Sequence, residues 1–187
     1  AIGRNFKESI QKALRSIENN LDGFSSVLPP KEYKKEGNPS IIYNWLSINS
    51  PDKILRIAEA LRLGFKTNKI CQVTNWDKWF VNQINEIILA EENLIKGKFS
   101  ESKFELRFLK NSGFSDKRIA NLTGLKESFI YDLRKTFNIT PKYKRVDTCA
   151  NEFQTKTAYM YGSYELVNYD QLSCESRPSN ANKIIIL

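Results

Sequence analysis

The side chains that could carry chemistry in this chain are few, and the cysteines are considered first. The 187 residues include no histidine, which excludes the Ser-His-Asp and Cys-His arrangements and removes the commonest metal ligand. Cys149 lies near Lys144 and Arg145, whose charges could activate a thiol as a nucleophile. A buried structural role is the favoured alternative. Because the three cysteines form no C-x-x-C pair, we expect neither a disulfide framework nor a zinc site.

Two groups of aromatic residues could stack on nucleic-acid bases. The first, Trp76, Trp79 and Phe80, lies where a helix is predicted to begin, and packing in the core is the favoured interpretation. The second alternates along an extended segment, which is more typical of a contact with a neighbouring domain. Its members are Phe153, Tyr159, Tyr161 and Tyr164.

Positive charge is concentrated in residues 103–145. The chain has 29 Lys and Arg against 21 Asp and Glu, a net charge of +8. This range holds 11 basic and 4 acidic residues, so it supplies +7 of that total. Such clustering can mark a nucleic-acid or acidic-partner surface. The abundance of Lys, Ile and Asn is what an A+T-rich genome would produce, which weakens the signal.

Residues 115–139 have the layout of a helix-turn-helix. In a DNA-binding protein the first residues of the second helix, Lys126, Glu127 and Ser128, would contact base edges. Glu127 and Asp132 would then oppose a phosphate-lined groove. Packing as a plain helical hairpin is therefore favoured over DNA binding.

No other motif for catalysis or cofactor binding is present. The sequence lacks G-x-G-x-x-G, G-x-x-x-x-G-K-[ST] and G-x-S-x-G, and it has no carboxylate cluster at ligand spacing. We predict no catalytic, cofactor-binding or metal-ligating residue. The longest apolar runs, Ile87–Ala90 and Ile184–Leu187, are too short for a membrane span of about 20 residues. We expect a soluble, cytoplasmic protein, and the missing initial Met indicates an excised piece.

Helical periodicity predominates up to about residue 140. Asn5, Ser100 and Ser115 are predicted N-caps, and residues 19–50 are predicted to be largely irregular. The predicted helices cover about Phe6–Glu18, Ile41–Leu46, Pro51–Leu63, Thr67–Val73, Asp77–Ile95, Glu101–Ser112, Ser115–Leu122 and Lys126–Phe137.

The apolar spacing also predicts which residues of the helices face inward. In the helix over about Asp77–Ile95, they are Phe80, Ile84, Ile87, Ile88 and Ile95. In the helix over about Glu101–Ser112, they are Phe104, Phe108 and Leu109, and Gly113 is predicted to end this helix.

The pattern changes after Pro141. Val146–Tyr169 lacks helical periodicity, and Ile184–Leu187 has the composition of a strand buried in a parallel sheet. The predicted fold class is all-α: an irregular helical bundle domain followed by an extended linker and a C-terminal β-strand. Because no sheet is available for that strand, the chain is expected to be part of something larger.

Several stretches resemble the large subunit of carbamoyl phosphate synthetase. YKRVDTCANEFQTKTAYMYGSYE, Tyr143–Glu165, resembles the connection leading into the second synthetase half, and Ala1–Glu18 resembles the end of the first half. Between them PDKILRIAEALRLG, WFVNQINEII and GFSDKRIANLTG are similar, in order, to the helical oligomerisation domain. Pro178–Leu187 resembles the start of the second half.

This resemblance implies an ATP-dependent enzyme that makes carbamoyl phosphate for pyrimidine and arginine synthesis. Its substrates would be bicarbonate, ammonia from glutamine, and two ATP, with Mg (or Mn). It implies three parts: 1–20 from the first half, 21–141 as the oligomerisation domain, and 142–187 as the linker and first strand of the second half. The implied partners are the rest of the large subunit, a glutaminase small subunit and further copies, with no nucleic acid or membrane.

On this reading the chain itself is a spacer without catalytic residues. A helix-turn-helix nucleic-acid-binding module using residues 103–145 is the alternative.

Overall fold

The computed structural model describes residues 1–17, 19–150, 152–153, 157–166, 174–177 and 179–181. In these ranges nine helices are followed by a two-stranded antiparallel sheet. The helices are α1 (Phe6–Ser16), α2 (Lys31–Glu36), α3 (Pro39–Ser47), α4 (Lys53–Arg62), α5 (Thr67–Thr74), α6 (Lys78–Ile95), α7 (Lys103–Asn111), α8 (Asp116–Thr123) and α9 (Glu127–Thr136). The strands are β1 (Lys142–Arg145) and β2 (Met160–Ser163).

The predicted class, a helical bundle followed by a non-helical C-terminal segment, is confirmed. The antiparallel pairing of β1 with β2, in which Lys142 faces Ser163, was not predicted. The predicted strand Ile184–Leu187 lies outside the described residues.

Side-chain caps determine where several helices begin. The side chain of Asn5 accepts a hydrogen bond from the Glu8 amide, and Ser115 caps α8 in the same way. The predicted Ser100 cap is wrong, because the cap of α7 is Ser102, which accepts from the Glu105 amide. Ser100 instead donates its hydroxyl to the Glu105 carboxylate at 2.6 Å, so it supports the cap from outside the helix.

The predicted irregular stretch 19–50 contains two helices rather than one. In α3 the Asn38 side chain caps the Ser40 amide, and Ile42 and Leu46 are fully buried. The six-residue α2 buries no residue and ends at Gly37, in the left-handed conformation. A helix this short with no buried face leaves little periodicity in the sequence.

The predicted inward faces of α6 and α7 are partly wrong. The central isoleucines of α6 are buried, but Phe80 and Ile95 at its ends are 41% and 61% exposed. Their neighbours Val81 and Leu94 are buried instead. In α7 Leu109 is buried as predicted, whereas Phe104 is 77% exposed. Where two apolar residues are adjacent, only the packed neighbours decide which one points inward.

Helix α6 lies at the centre of the body and packs against α1, α4, α5 and α8. A charged cluster is buried beside it. The guanidinium of Arg118 binds the Glu91 carboxylate at 2.7 Å and Asp22 at 3.0 Å, and Arg62 binds Glu91 at 2.8 Å. Arg118 also donates to the Phe24 carbonyl at 2.8 Å, which holds the loop after α1 against the body.

Candidate functional site

Cys149 lies in a turn at the surface, where the two nearby cations bind other groups. Cys149 is half-buried in a turn, where its amide donates to Asp147 at 2.9 Å. The two nearby cations have other partners: Lys144 pairs with Glu175 at 3.4 Å and Arg145 donates to the Thr157 carbonyl at 3.0 Å. The favoured alternative, a buried structural cysteine, is also wrong, because a surface turn leaves the residue partly exposed.

No metal centre is formed by the residues described above. Across those ranges, no three His, Cys, Asp or Glu side chains come together in a group that could hold a metal ion.

The predicted helical hairpin of α8 and α9 is confirmed in its geometry. Gly124 makes the turn in the left-handed conformation, with φ of 74°. Ile119 and Ile130 are fully buried between the two helices and the body. Glu127 and Asp132 are exposed on the outer side, where they would oppose a nucleic-acid phosphate.

Part of the concentrated positive charge lies inside the fold. Besides Arg118, both Lys110 and Arg134 pair with Asp116, at 2.7 and 3.1 Å. Burial lowers the pKa of Lys110 despite the attraction of Asp116. For Asp116 burial alone would raise the pKa, but the two cations outweigh it and lower the pKa below its usual range. These charges stabilise the body rather than form a basic surface.

The site that the structure does build is a polar junction between α1, the α7–α8 turn and the β1–β2 hairpin. Glu8 of α1 is almost fully buried and accepts a hydrogen bond from Ser163 of β2 at 2.9 Å. Lys12 pairs with Glu8 at 2.8 Å and also donates to the Gly162 carbonyl. Helix α1 is thereby bound to a strand about 150 residues later in the chain.

The end of α7 completes the junction. Asn111 donates its side-chain amide to the Tyr164 carbonyl at 2.5 Å. Asn5, just before α1, donates its side-chain amide to the backbone carbonyl of Asn111 at 3.1 Å. The ammonium of Lys110 lies 5.1 Å from the centre of the Tyr164 ring. One residue, Asn111, therefore contacts both the start of α1 and the end of the hairpin.

The turn after α7 is shaped for close contact with α1. Gly113 has φ of 92°, and a Cβ there would lie 2.8 Å from the Cα of Glu8. Arg15 donates to the Gly113 carbonyl at 2.6 Å, and Gln11 donates to the Ser112 carbonyl at 2.7 Å. Burial lowers the pKa of Arg15. Sequence reasoning identified Gly113 only as a helix terminator, since its second role depends on a helix 100 residues away.

An exposed cluster of aromatic rings, here called the aromatic patch, consists of Phe6, Trp79 and Phe80. The ring centre of Phe6 lies 5.5 Å from that of Trp79 and 5.2 Å from that of Phe80, in edge-to-face arrangements. Trp79 is 53% exposed. The favoured interpretation that these tryptophans belong to the core is therefore wrong for Trp79, although Trp76 packs against the core.

None of the helices in the described ranges is long and apolar enough to span a membrane.

Comparison with known proteins gives a consistent family. A family model described as "Carbamoyl-phosphate synthetase large chain, oligomerisation domain" matches residues 1–138. The chain is 45% identical to the carbamoyl phosphate synthase large chain of Buchnera aphidicola, over 190 residues covering all of this chain and 17% of that protein. It is 43% identical to the Pasteurella multocida large chain and 37% identical to the Brucella melitensis one, each with 16% of the relative covered. The chain therefore spans about one sixth of the length of these curated relatives.

Proposed function

Because this chain belongs to the family of carbamoyl-phosphate synthetase large chains, through a match to their oligomerisation domain, we propose that it is the central helical region of such a large chain. Residues 1–20 would end the first synthetase half, and 21–141 would form the oligomerisation domain. Residues 142–187 would be the linker and first strand of the second half. The similarity to several large chains over the whole of this chain supports this assignment.

The intact protein would be an ATP-dependent ligase that makes carbamoyl phosphate from bicarbonate, ammonia released from glutamine, and two ATP. Its product would feed pyrimidine and arginine synthesis in the cytoplasm. ATP and Mg (or Mn) would bind in parts of the large chain outside this sequence. The partners would be the rest of the large chain, a glutaminase small subunit and further copies of the enzyme. This region would contribute self-association and spacing, without catalytic residues.

The observation that carries the spacing role is the junction. Residues that lead into the helical body and residues that lead out of it are bound to each other and to the α7–α8 turn, through Glu8, Asn111 and Gly113. A spacer between two synthetase halves must set the direction in which the chain arrives relative to the direction in which it leaves. Hydrogen bonds between α1 and β2, which join residues about 150 apart in sequence, would fix these two directions relative to each other.

The mass of the native polypeptide tests the proposal. An antibody against residues 1–187 is expected to detect, in denatured source-cell extract, a band about six times 21.7 kDa, because the chain covers 16–17% of its relatives. The native mass of the purified protein should correspond to two or more large chains. A band near 21.7 kDa would contradict the large-chain assignment, and a single-copy mass at all concentrations would contradict self-association.

A further inference from the structure

The outer edge of β1 in the β1–β2 hairpin is already covered. The Glu175 amide donates to the Tyr143 carbonyl at 2.8 Å, and the Glu175 carboxylate accepts from the Arg145 amide at 2.7 Å. Unpaired N–H and C=O groups at a sheet edge are what a further strand binds. Because those of β1 have partners, a further strand would have to add at the outer edge of β2.

The outer edge of β2 is open at Met160. In an antiparallel ladder, hydrogen-bonded pairs alternate with pairs whose backbone groups point away from each other. The Val146 amide donates to the Tyr159 carbonyl at 2.9 Å, which makes these two a hydrogen-bonded pair. In the adjacent pair, Arg145 with Met160, the backbone groups therefore point outward. Among the described residues none bonds to the Met160 N–H or C=O, so this edge presents an unpaired donor and acceptor.

The first residues of the chain run beside β2. Arg4 pairs with Glu165, just past the end of β2, at 3.2 Å. The carbonyls of Ile2 and Gly162 both accept hydrogen bonds from the Lys12 ammonium, which places Ile2 beside the strand. Going back from residue 4 to residue 2, the chain therefore moves from the end of β2 toward its start.

The cavity at the chain start indicates the same direction. Ile2 lines this cavity together with Val146, which lies at the Met160 end of the hairpin. Gly3 is packed against α1, since a Cβ there would lie 2.8 Å from the Ser9 hydroxyl oxygen. Polypeptide that precedes residue 1 would therefore begin beside β2 and continue toward its open edge.

We propose that, in the full-length large chain, the polypeptide just before residue 1 adds to the hairpin as a third strand and bonds to the N–H and C=O of Met160. This rests on the proposed function, in which a synthetase half precedes residue 1. The added strand is parallel to β2, because residues 2–4 and residues 162–165 advance in the same direction. Addition of an extended segment to a sheet edge is a recurring mode of recognition, in which main-chain hydrogen bonds supply affinity.

The side chains at the open edge define what the added strand carries. Tyr159 is 75% exposed and Met160 is 36% exposed, and consecutive residues of a strand point to opposite faces. A strand with apolar side chains on both faces covers both residues. The preceding polypeptide is attached at residue 1, so its effective concentration at this edge exceeds that of a second copy. The first half is thereby bound directly to the hairpin that leads into the second half.

Disulfide trapping in the purified full-length large chain tests this proposal. Met160→Cys is combined, in separate variants, with a cysteine at each of the four positions that precede Ala1. Neighbouring strands lie about 5 Å apart, which is within the Cα separation that a disulfide spans. Because side chains alternate between faces, we expect a crosslink within one chain at every second position and a large loss of crosslinking at the positions between. Peptide mapping by mass spectrometry identifies the bonded cysteines.

Tyr143→Cys is the matched control. Tyr143 is 44% exposed and lies on the same face of the hairpin as Met160, but in β1. Its Cα would be two strand spacings, roughly 10 Å, from the added strand, which is too far for a disulfide. It should therefore form no crosslink with any of the four preceding positions.

Three results would overturn the proposal. The absence of a crosslink from Met160→Cys, or crosslinking equal to that of Tyr143→Cys, would mean that the preceding polypeptide does not lie along β2. Crosslinks that join two large chains would mean that a second copy occupies the edge. In each case a native band of large-chain size would leave the proposed function standing, whereas a band near 21.7 kDa would contradict the proposed function itself.

Amide hydrogen exchange in the unaltered full-length chain provides a second measurement. The Met160 amide should exchange at least roughly tenfold more slowly than an unstructured amide, because it donates to the added strand. Exchange at the unstructured rate would mean that the edge is open and would overturn the proposal. This measurement needs no substitution, so it decides the question if the cysteine variants do not fold.

Discussion

The helical body and the junction bury polar groups with different proportions of ion pairs and backbone hydrogen bonds. In the body, charged side chains pair with charged side chains, as Arg118 and Arg62 do with Glu91. At the junction, one buried ion pair, Lys12 with Glu8, is accompanied by side chains that reach across to backbone carbonyls, as Arg15 does to Gly113 and Asn111 to Tyr164. The body therefore depends mainly on charge balance, whereas the junction depends more on the path of the backbone. This difference predicts that the two regions respond to different substitutions.

The largest effect is expected from unbalancing the charges of the body. Arg118→Met leaves the buried carboxylate of Glu91 with Arg62 as its one cationic partner among the described residues, and removing one member of a buried ion pair costs about 3–5 kcal/mol. Urea unfolding followed by circular dichroism measures the loss. The exposed Lys126→Met is the control and should change stability by less than about 0.5 kcal/mol. A loss below about 1 kcal/mol for Arg118→Met would show that charge pairing does not govern the body.

Altering the backbone path at the junction should have the next largest effect, and two glycines provide a matched comparison. Gly113 and Gly124 both have positive φ, but only at Gly113 would a Cβ meet another backbone, 2.8 Å from the Cα of Glu8. At Gly124 a Cβ would meet nothing within 4 Å. Gly124→Ala should cost about 1 kcal/mol from the left-handed conformation alone.

Gly113→Ala should cost about 2–3 kcal/mol, because α1 must also move away from the turn. Amide hydrogen exchange should speed up in both α1 and β2 in this variant and in neither with Gly124→Ala. Equal costs for the two substitutions would remove the distinction between the junction and an ordinary turn.

Lowering the pH is expected to have the smallest effect on the free energy of unfolding. Because Lys110 and Arg134 lower the pKa of Asp116 in the folded chain, its stabilising contribution is complete above the unfolded pKa of about 4. That contribution is lost as the pH falls from there through the lower folded pKa. The unfolding free energies of the unaltered chain and of Asp116→Asn should therefore differ most near neutral pH and converge below about pH 4. Exposed Asp132→Asn should show no such convergence, and a gap that is constant with pH would contradict the assignment.

Much of the helical body was predictable because its signals are local. The Asn5 and Ser115 caps, the turn at Gly124 and the extent of α6 follow from residues within a few positions of each other. The two helices within residues 19–50 were less predictable, since α2 buries nothing and therefore shows no periodicity.

The junction and the aromatic patch could not be predicted from spacing. The pairing of Lys12 with Glu8 is local, but the binding of both to β2 joins residues about 150 positions apart. The exposure of Phe80 in place of Val81 depends on the rotation of α6 against its neighbours, and both residues suit a core equally well by type. Family resemblance predicts where the junction segments belong but does not predict which side chains join them.

The sequence by itself determined the helical class, most helix boundaries and the family, because capping, periodicity and the run VDTCANEF are properties of neighbouring residues. Only the tertiary structure decided that basic residues such as Lys110 and Arg118 form ion pairs with carboxylates inside the body, and that α1, Gly113 and the hairpin meet. Such contacts join residues that are distant in sequence, and their free energy depends on burial and distance, which exist only once the chain has folded.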